Sequence, residues 1–220
     1  MTNVILYDVV QKNEYHLQNL VDDFEDYFHD GTQGIIINEY SDKFLKAMFW
    51  QKKTQKSYRF NPEKREFDII EEEIVSVADF GIEIEDKMLL VFGNKQMAQR
   101  IITLIGIVSG NAYSITEFSI NIEKLVQRIC EKPDVRLVKM KLAEITIEKG
   151  VLVNCSVSLL SQDDPINLAL KYVNNIVVIA FKLEGISVNI TVYKSGKFSI
   201  SKVDDEEKDE LIRNIIHIVR

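Results

Sequence analysis

The chain has little of what membrane spans, secretion signals and disulfide scaffolds require. Its 220 residues include two cysteines, three histidines and three prolines. Uninterrupted apolar stretches such as Leu104–Val108 are far shorter than the about 18 apolar residues that suggest a membrane span. The first ten residues carry no basic region and reach Asp8 before any cleavage-like site, so they do not read as a signal peptide. We therefore expect a cytoplasmic protein that makes no membrane contact.

Residues that carry metal or nucleophile chemistry are also sparse. Cys130 and Cys155 lie in contexts that predict a helix and a strand, which favours free buried thiols and excludes a disulfide scaffold. His16, His29 and His217 form no H-x-H or H-E-x-x-H pattern, and neither C-x-x-C nor G-x-S-x-G occurs. We expect no metal, no cofactor and no nucleophile-based site.

What recurs is a local pattern of two short strands, a tight polar turn and an amphipathic helix. It occurs at Gly81–Val108, Ile145–Asn174 and Ile186–Val219. Such units predict an α+β fold, mainly an antiparallel sheet built from hairpin-plus-helix units with about five helices packed on it. We expect a single domain over residues 1–220, with a possible subdomain boundary near 76–81 that would divide 1–78 from 79–220.

The predicted helices follow from apolar spacing and from capping residues. They are Lys12–Asp30, Lys95–Val108, Asn121–Lys132, a helix that starts at Asp164-Pro165, and Asp204–Val219. Asp164 followed by proline is a strong helix start, because a carboxylate caps the free N–H groups and proline suits the first helical position.

Charge is distributed unevenly. The net charge is −7, yet Lys43–Arg65 contains eight basic residues and one acidic residue, a local balance of +7. The remainder then holds 19 basic and 33 acidic residues, a balance of −14. An acidic body with one basic segment is the asymmetry that a functional hypothesis has to explain.

The basic segment predicts a hairpin with strands at Phe44–Gln51 and Ser57–Phe60 and a polar tip at Gln51–Lys56. Aromatic side chains alternate with its cations, a composition that suits either phosphate tracking with base stacking or a protein contact. A solvated hairpin whose lysines prevent edge-to-edge aggregation is the structural alternative. The candidate binding residues are Lys46, Trp50, Lys52, Lys53, Lys56, Tyr58 and Arg59.

We favour a non-catalytic binding or assembly component that presents this hairpin and a sheet edge to a protein partner or to a second copy of the chain. Nucleic-acid binding through residues 43–65 is the alternative, weakened by the acidic remainder. A metal-dependent nuclease is a second alternative, because Asp79 upstream of Glu85 and Lys87 has the D…E-x-K spacing of such enzymes. An acid–lysine pair at a turn is common by chance, so we lean against an enzyme.

Overall fold

A computed structural model describes residues 1–12, 15–27, 31–183, 188–201 and 205–220. Its described part confirms the α+β prediction, with an eleven-stranded antiparallel sheet and five α-helices. The strands are β1 (Thr2–Gln11), β2 (Gln33–Tyr40), β3 (Phe44–Asn61), β4 (Glu66–Glu83), β5 (Met88–Phe92), β6 (Tyr113–Glu117), β7 (Val135–Glu148), β8 (Val151–Ser158), β9 (Ile176–Leu183), β10 (Val188–Tyr193) and β11 (Lys197–Ile200). The helices are α1 (Leu17–Asp26), α2 (Lys95–Val108), α3 (Ile122–Cys130), α4 (Pro165–Lys171) and α5 (Asp205–Val219).

The chain divides into two compact units. One consists of Met1–Tyr7 with Thr116–Arg220, and the other of Asp8–Ile115. The element order repeats along the chain: β1-α1-β2-β3-β4-β5-α2 corresponds to β6-α3-β7-β9-β10-β11-α5 once β8 and α4 are treated as an insertion. Residues 76–81 lie inside β4, and the single-domain assignment with a boundary there remains a prediction.

The core of the Asp8–Ile115 unit follows from strand alternation. β3 and β4 pair antiparallel from Phe44↔Glu83 to Asn61↔Glu66. At the base of this pair, Leu45, Ala47 and Phe49 are buried, as are the residues directly opposite them, Ile82, Phe80 and Ala78. Side chains on one face of a strand repeat every second residue, so this face belongs to the core and the other face is open.

The helices of this unit have residue-level start and stop signals. Asn94 caps α2 because its side-chain oxygen accepts the Met97 N–H at 2.9 Å. Helix α1 is shorter than the predicted Lys12–Asp30: it begins after His16 and ends at Asp26, because Tyr27 is extended with a ψ of 112°. His29 lies outside the described residues.

In the other unit, strands neighbour one another in the order β11-β10-β9-β7-β8. Asp164 caps α4 as predicted, accepting the Asn167 N–H at 3.0 Å, and this hydrogen bond lowers the pKa of the Asp164 carboxyl. Cys130 and Cys155 are free as predicted, but both are exposed, which corrects the expectation of buried thiols. Cys130 ends α3 and Cys155 lies in the edge strand β8, positions that leave the side chains open to solvent.

No helix in the described ranges combines the length and the apolar character that crossing a lipid bilayer would demand.

Candidate functional site

The predicted basic hairpin is the outer part of the β3–β4 pair. β2 accompanies β3 as far as Gln51, and the last hydrogen bond between these segments joins the Lys52 N–H to the Thr32 carbonyl at 2.7 Å. β5 accompanies β4 from Asp79 inward. Beyond these points the two strands pair only with each other among the described residues. We call residues 52–75 the arm.

The turn at the end of the arm is not where the sequence pattern predicts it. Gln51–Lys56, the predicted tip, lies within β3, and the chain reverses at residues 62–65. The Asn61 side-chain oxygen accepts the N–H groups of Glu63 and Lys64 at 3.1 and 3.3 Å, and Arg65 takes a positive φ of 58°. An Asx turn followed by a left-handed residue therefore closes the hairpin, and the polar run before it remains extended.

The arm is electrically neutral, because β4 supplies the carboxylates that the basic segment lacks. Residues 52–75 contain six Lys or Arg and six Asp or Glu, which gives a net charge of zero. Lys52 Nζ lies 3.0 Å from Glu73, and Lys56 Nζ lies 2.7 Å from Glu71. All four side chains stay largely exposed, so each pair contributes about 0–1 kcal/mol of stability. What the pairs change is the charge that an approaching ligand meets.

The remaining predicted cations divide between the two ends and the two faces of the hairpin. At its base, Lys46 lies 3.3 Å from Glu39, and Lys43 lies 2.6 Å from Glu85, which raises the pKa of Lys43 through a hydrogen bond and charge attraction. Lys53 and Arg59 point to the face opposite Lys52 and Lys56, since their positions differ from those by an odd number. Five of the seven predicted binding residues therefore share one face of β3, namely Lys46, Trp50, Lys52, Lys56 and Tyr58, and Lys53 and Arg59 lie on the other face.

Trp50 lies half-buried at the base of the hairpin. It pairs across the strands with Gly34, and its indole occupies the space above that glycine: a Cβ on Gly34 would lie 2.7 Å from Trp50 Nε1. The indole therefore lies against the backbone of Gly34.

The arm carries an exposed apolar group that the sequence prediction covered only in part. Tyr58 and Phe60 lie opposite Ile69 and Phe67, so all four side chains share one face near the turn. Their exposed fractions are 68%, 53%, 60% and 63%, respectively. The rings of Phe60 and Phe67 pack edge-on with centroids 5.4 Å apart. We call these four residues the tip patch.

The tip patch could have been found from alternation alone. Tyr58 and Phe60 alternate with charged or polar neighbours, and Phe67 and Ile69 flank Asp68 across the turn. Reading the two segments as one long hairpin centred on Pro62–Arg65 brings the four together. The prediction instead placed the turn at the polar run, which separated Tyr58 and Phe60 from their partners.

The three residues considered for nuclease chemistry are spread along a hairpin. Asp79 is exposed in β4 and pairs with Phe92, while Glu85 and Lys87 belong to the turn before β5. Asp79 and Glu83 are already about 13 Å apart along an extended strand, and Glu85 lies beyond Glu83. Glu85 is also held by Lys43. Within the described ranges, no three His, Cys, Asp or Glu side chains cluster as a metal site would require.

A groove beside α2 offers the nuclease hypothesis no further support. It has a volume of about 510 Å³ and is lined mainly by the polar stripe of α2 together with Tyr27 and Gln33. Neither a carboxylate nor a histidine is among its described lining residues.

Comparison with known proteins adds no assignment: no family model matches the chain, and no curated protein matches it.

Proposed function

We propose that this protein is a non-catalytic binding or assembly component that engages a protein partner through the arm. The observation that carries the proposal is the tip patch: four large apolar side chains, each more than half exposed, lie on one face of a hairpin end. Contiguous exposed apolar groups of this kind mark interaction surfaces in proteins. We place this activity in the cytoplasm, since the chain has the few, free cysteines of a reducing compartment.

The energetics favour a contact centred on the tip patch and surrounded by ion pairs. Covering the exposed part of each side chain would contribute about 1–2 kcal/mol. The neighbouring Lys56–Glu71 pair is exposed and would lie at the rim, where it contributes specificity more than affinity. Aromatic residues at the centre of a small patch are the typical hot spots of protein interfaces.

The arm offers a second recognition element in its backbone. Outside the reach of β2 and β5, the outer edges of β3 and β4 present N–H and C=O groups that no other described strand pairs with. Open strand edges accept an added strand from a partner, and lysines on such edges limit uncontrolled pairing. A partner that adds a strand here would also reach the tip patch.

The neutral arm is why we do not propose nucleic acid as its ligand. Phosphate binding depends on uncompensated Lys and Arg, and the six cations of the arm are matched by six carboxylates in the same hairpin. Binding to an apolar protein surface does not require an excess of positive charge. The partner we propose is accordingly a protein with an exposed apolar patch or strand edge, a second copy of this chain included.

Photo-crosslinking in the native host tests the proposal. A benzophenone amino acid at Phe60 should yield a covalent protein adduct, whose mass distinguishes a second copy from another protein. The matched control places the same amino acid at Lys149, an exposed residue in the turn of another hairpin. Adducts at both positions, or at neither, would contradict the proposal.

A variant identifies the tip patch as the cause of any adduct. Phe67→Ser with Ile69→Ser removes half of the patch while leaving the crosslinking position intact. Because both side chains are exposed, the fold should tolerate the change, which circular dichroism checks. We expect the Phe60 adduct to fall at least about tenfold, the equivalent of about 1.4 kcal/mol. An unchanged adduct would show that the patch is not the contact.

A further inference from the structure

The sheet of the Met1–Tyr7 and Thr116–Arg220 unit gathers cations from three segments of the sequence on one face. Residues paired across antiparallel strands share a face, and so do alternate residues of one strand. Arg136 pairs with Lys182, Lys139 with Ala180, and Lys141 with Val178. Val178 pairs with Tyr193, and Tyr193 pairs with Lys197. We call Arg136, Lys139, Lys141, Lys182 and Lys197 the cationic face.

This face is opposite the core of its unit. The intervening positions are apolar and buried: Leu137 and Met140 in β7, Ile179 and Phe181 in β9, Ile190 and Val192 in β10 and Phe198 in β11. The side chains of Arg136, Lys139, Lys141 and Lys182 are exposed, and Lys197 is half-buried with its ammonium 5.3 Å from the centre of the Tyr193 ring. The cations are therefore presented to solvent as a group.

Among the residues that the structure describes, no carboxylate pairs with the cationic face. The paired positions around them are Ser156, Ser158, Ala180, Asn189, Thr191 and Ser199, none of which is acidic. No ion pair to any of the five cations is found within the described residues. Neighbouring strands are about 5 Å apart and alternate residues of one strand about 6.7 Å apart, so these like charges repel one another. The arm shows the contrast, because there glutamates lie across from lysines.

We propose that the cationic face binds single-stranded nucleic acid. Cations repeated over three strands suit a chain of phosphates, and Tyr193 provides a ring on the same face on which a base can stack. The exposed side chains of Ser156, Ser158 and Asn189 between the cations supply hydrogen bonds to phosphate and sugar.

Fluorescence anisotropy of a labelled twenty-nucleotide oligothymidine measures the binding. Four contacts with single-stranded phosphates predict that raising salt from 50 to 200 mM weakens affinity about 50-fold. The combined Gln substitutions of Arg136, Lys139, Lys141 and Lys182 should abolish this binding. The matched control carries Gln at four exposed lysines of the same unit that lie off this face, namely Lys124, Lys132, Lys149 and Lys171. The control loses the same charge and should bind within about twofold of wild type.

Stacking is tested separately from charge. Tyr193→Leu should lower affinity about 5-fold or more, while the salt dependence stays the same because no phosphate contact is lost. A duplex of the same length should compete less well than the single strand, since its bases are not free to stack. Equal competition by duplex, or a Tyr193→Leu variant of wild-type affinity, would overturn the single-strand assignment.

Several results would overturn the proposal as a whole. The first is an absence of binding at 50 mM salt. The second is an equal loss of affinity in the cationic-face variant and in the four-lysine control variant. The third is competition by polyglutamate that is as strong as competition by oligothymidine, which would assign the face to an acidic protein. Thermal unfolding of each variant excludes misfolding as the cause. The arm is intact in all of them, so the crosslinking result at Phe60 stands or fails independently.

Discussion

The position of the Trp50 side chain depends on the absence of a side chain at Gly34, its partner on the neighbouring strand. The indole packs on the glycine backbone because Gly34 has no Cβ, and this contact accounts for the half-buried state of the single tryptophan in the chain. A cross-strand aromatic that covers a glycine is a recognised way of stabilising a sheet at a weak position. The alternation of residues 44–50 indicates which face Trp50 takes, but it does not indicate that its partner across the strand is a glycine.

Gly34→Ala should displace the Trp50 indole toward solvent. The added methyl group would lie closer than 3.0 Å to two indole atoms, so the ring has to rotate away. Because the chain has a single tryptophan, its emission maximum reports the change directly and should shift to the red. Gly81→Ala is the control: it is a strand glycine of the same unit whose Cβ would meet its nearest atom, the Leu45 carbonyl oxygen, at an ordinary 3.6 Å. A red shift in both variants would contradict the explanation.

Tyr113 is a buried phenol whose hydroxyl has no hydrogen-bond partner among the described residues. Burial raises its pKa to about 12. In the unfolded chain the phenol ionises near pH 10, so the stability linked to its neutral form is complete below pH 10 and is lost as the pH rises from 10 toward 12. Its ring packs edge-on against Tyr15 at 5.6 Å, which a phenylalanine can preserve.

Tyr113→Phe should leave the protein as stable as wild type, or more stable, at pH 8, since it removes an unsatisfied buried hydroxyl. At pH 11 its advantage should grow by about 1 kcal/mol, because phenylalanine cannot ionise. Urea unfolding followed by Trp50 fluorescence at the two pH values measures the difference. Tyr58→Phe, which removes an exposed hydroxyl, is the control. If the stability difference between Tyr113→Phe and wild type were the same at pH 8 and pH 11, the raised pKa of Tyr113 would be refuted.

At the scale of elements, the sequence predicts helix starts and turns best where neighbouring residues alone determine them. The predicted helix Lys95–Val108 and the predicted helix start at Asp164-Pro165 depend on local spacing and capping, and the structure confirms both. The turn of the arm was mispredicted because the polar run Gln51–Lys56 was taken as the tip, although Asn61 and Pro62 have the stronger turn propensity. Which of the two reverses the chain depends on pairing between β3 and β4, and this pairing joins residues up to 39 positions apart.

The same long-range pairing explains why the segment that the sequence predicts to be basic belongs to an electrically neutral arm in the structure. Composition within Lys43–Arg65 correctly gives an excess of positive charge, but the acidic residues Glu66–Glu73 lie outside that window. Only the register places Glu71 and Glu73 beside Lys56 and Lys52. The cationic face shows the converse, since Arg136, Lys182 and Lys197 are distant in sequence and no window of composition unites them.

At the scale of the whole molecule, burial along β3 and β4 separates the base of this strand pair, which stabilises the fold, from the arm, which is exposed to solvent. Every β3 residue with less than a few per cent exposure lies at or before Phe49, and every such β4 residue lies at or after Ala78. The arm contributes pairing within itself and little burial. A two-stranded ribbon of this kind is marginally stable on its own, so the rest of the unit holds it in place rather than the reverse.

Replacing residues 54–73 by a short Asn-Gly turn should therefore leave the remaining fold intact. Lys53 and Ile74 are already cross-strand partners, so a tight turn between them can retain the inner register. We expect the free energy of unfolding to change by about 1 kcal/mol or less, since the deleted residues are almost all exposed. Trp50 emission and urea unfolding measure this outcome, and the shortened chain should still bind oligothymidine through the cationic face. If the shortened chain fails to fold, the arm is part of the stabilising framework and its role as an outward binding element has to be abandoned.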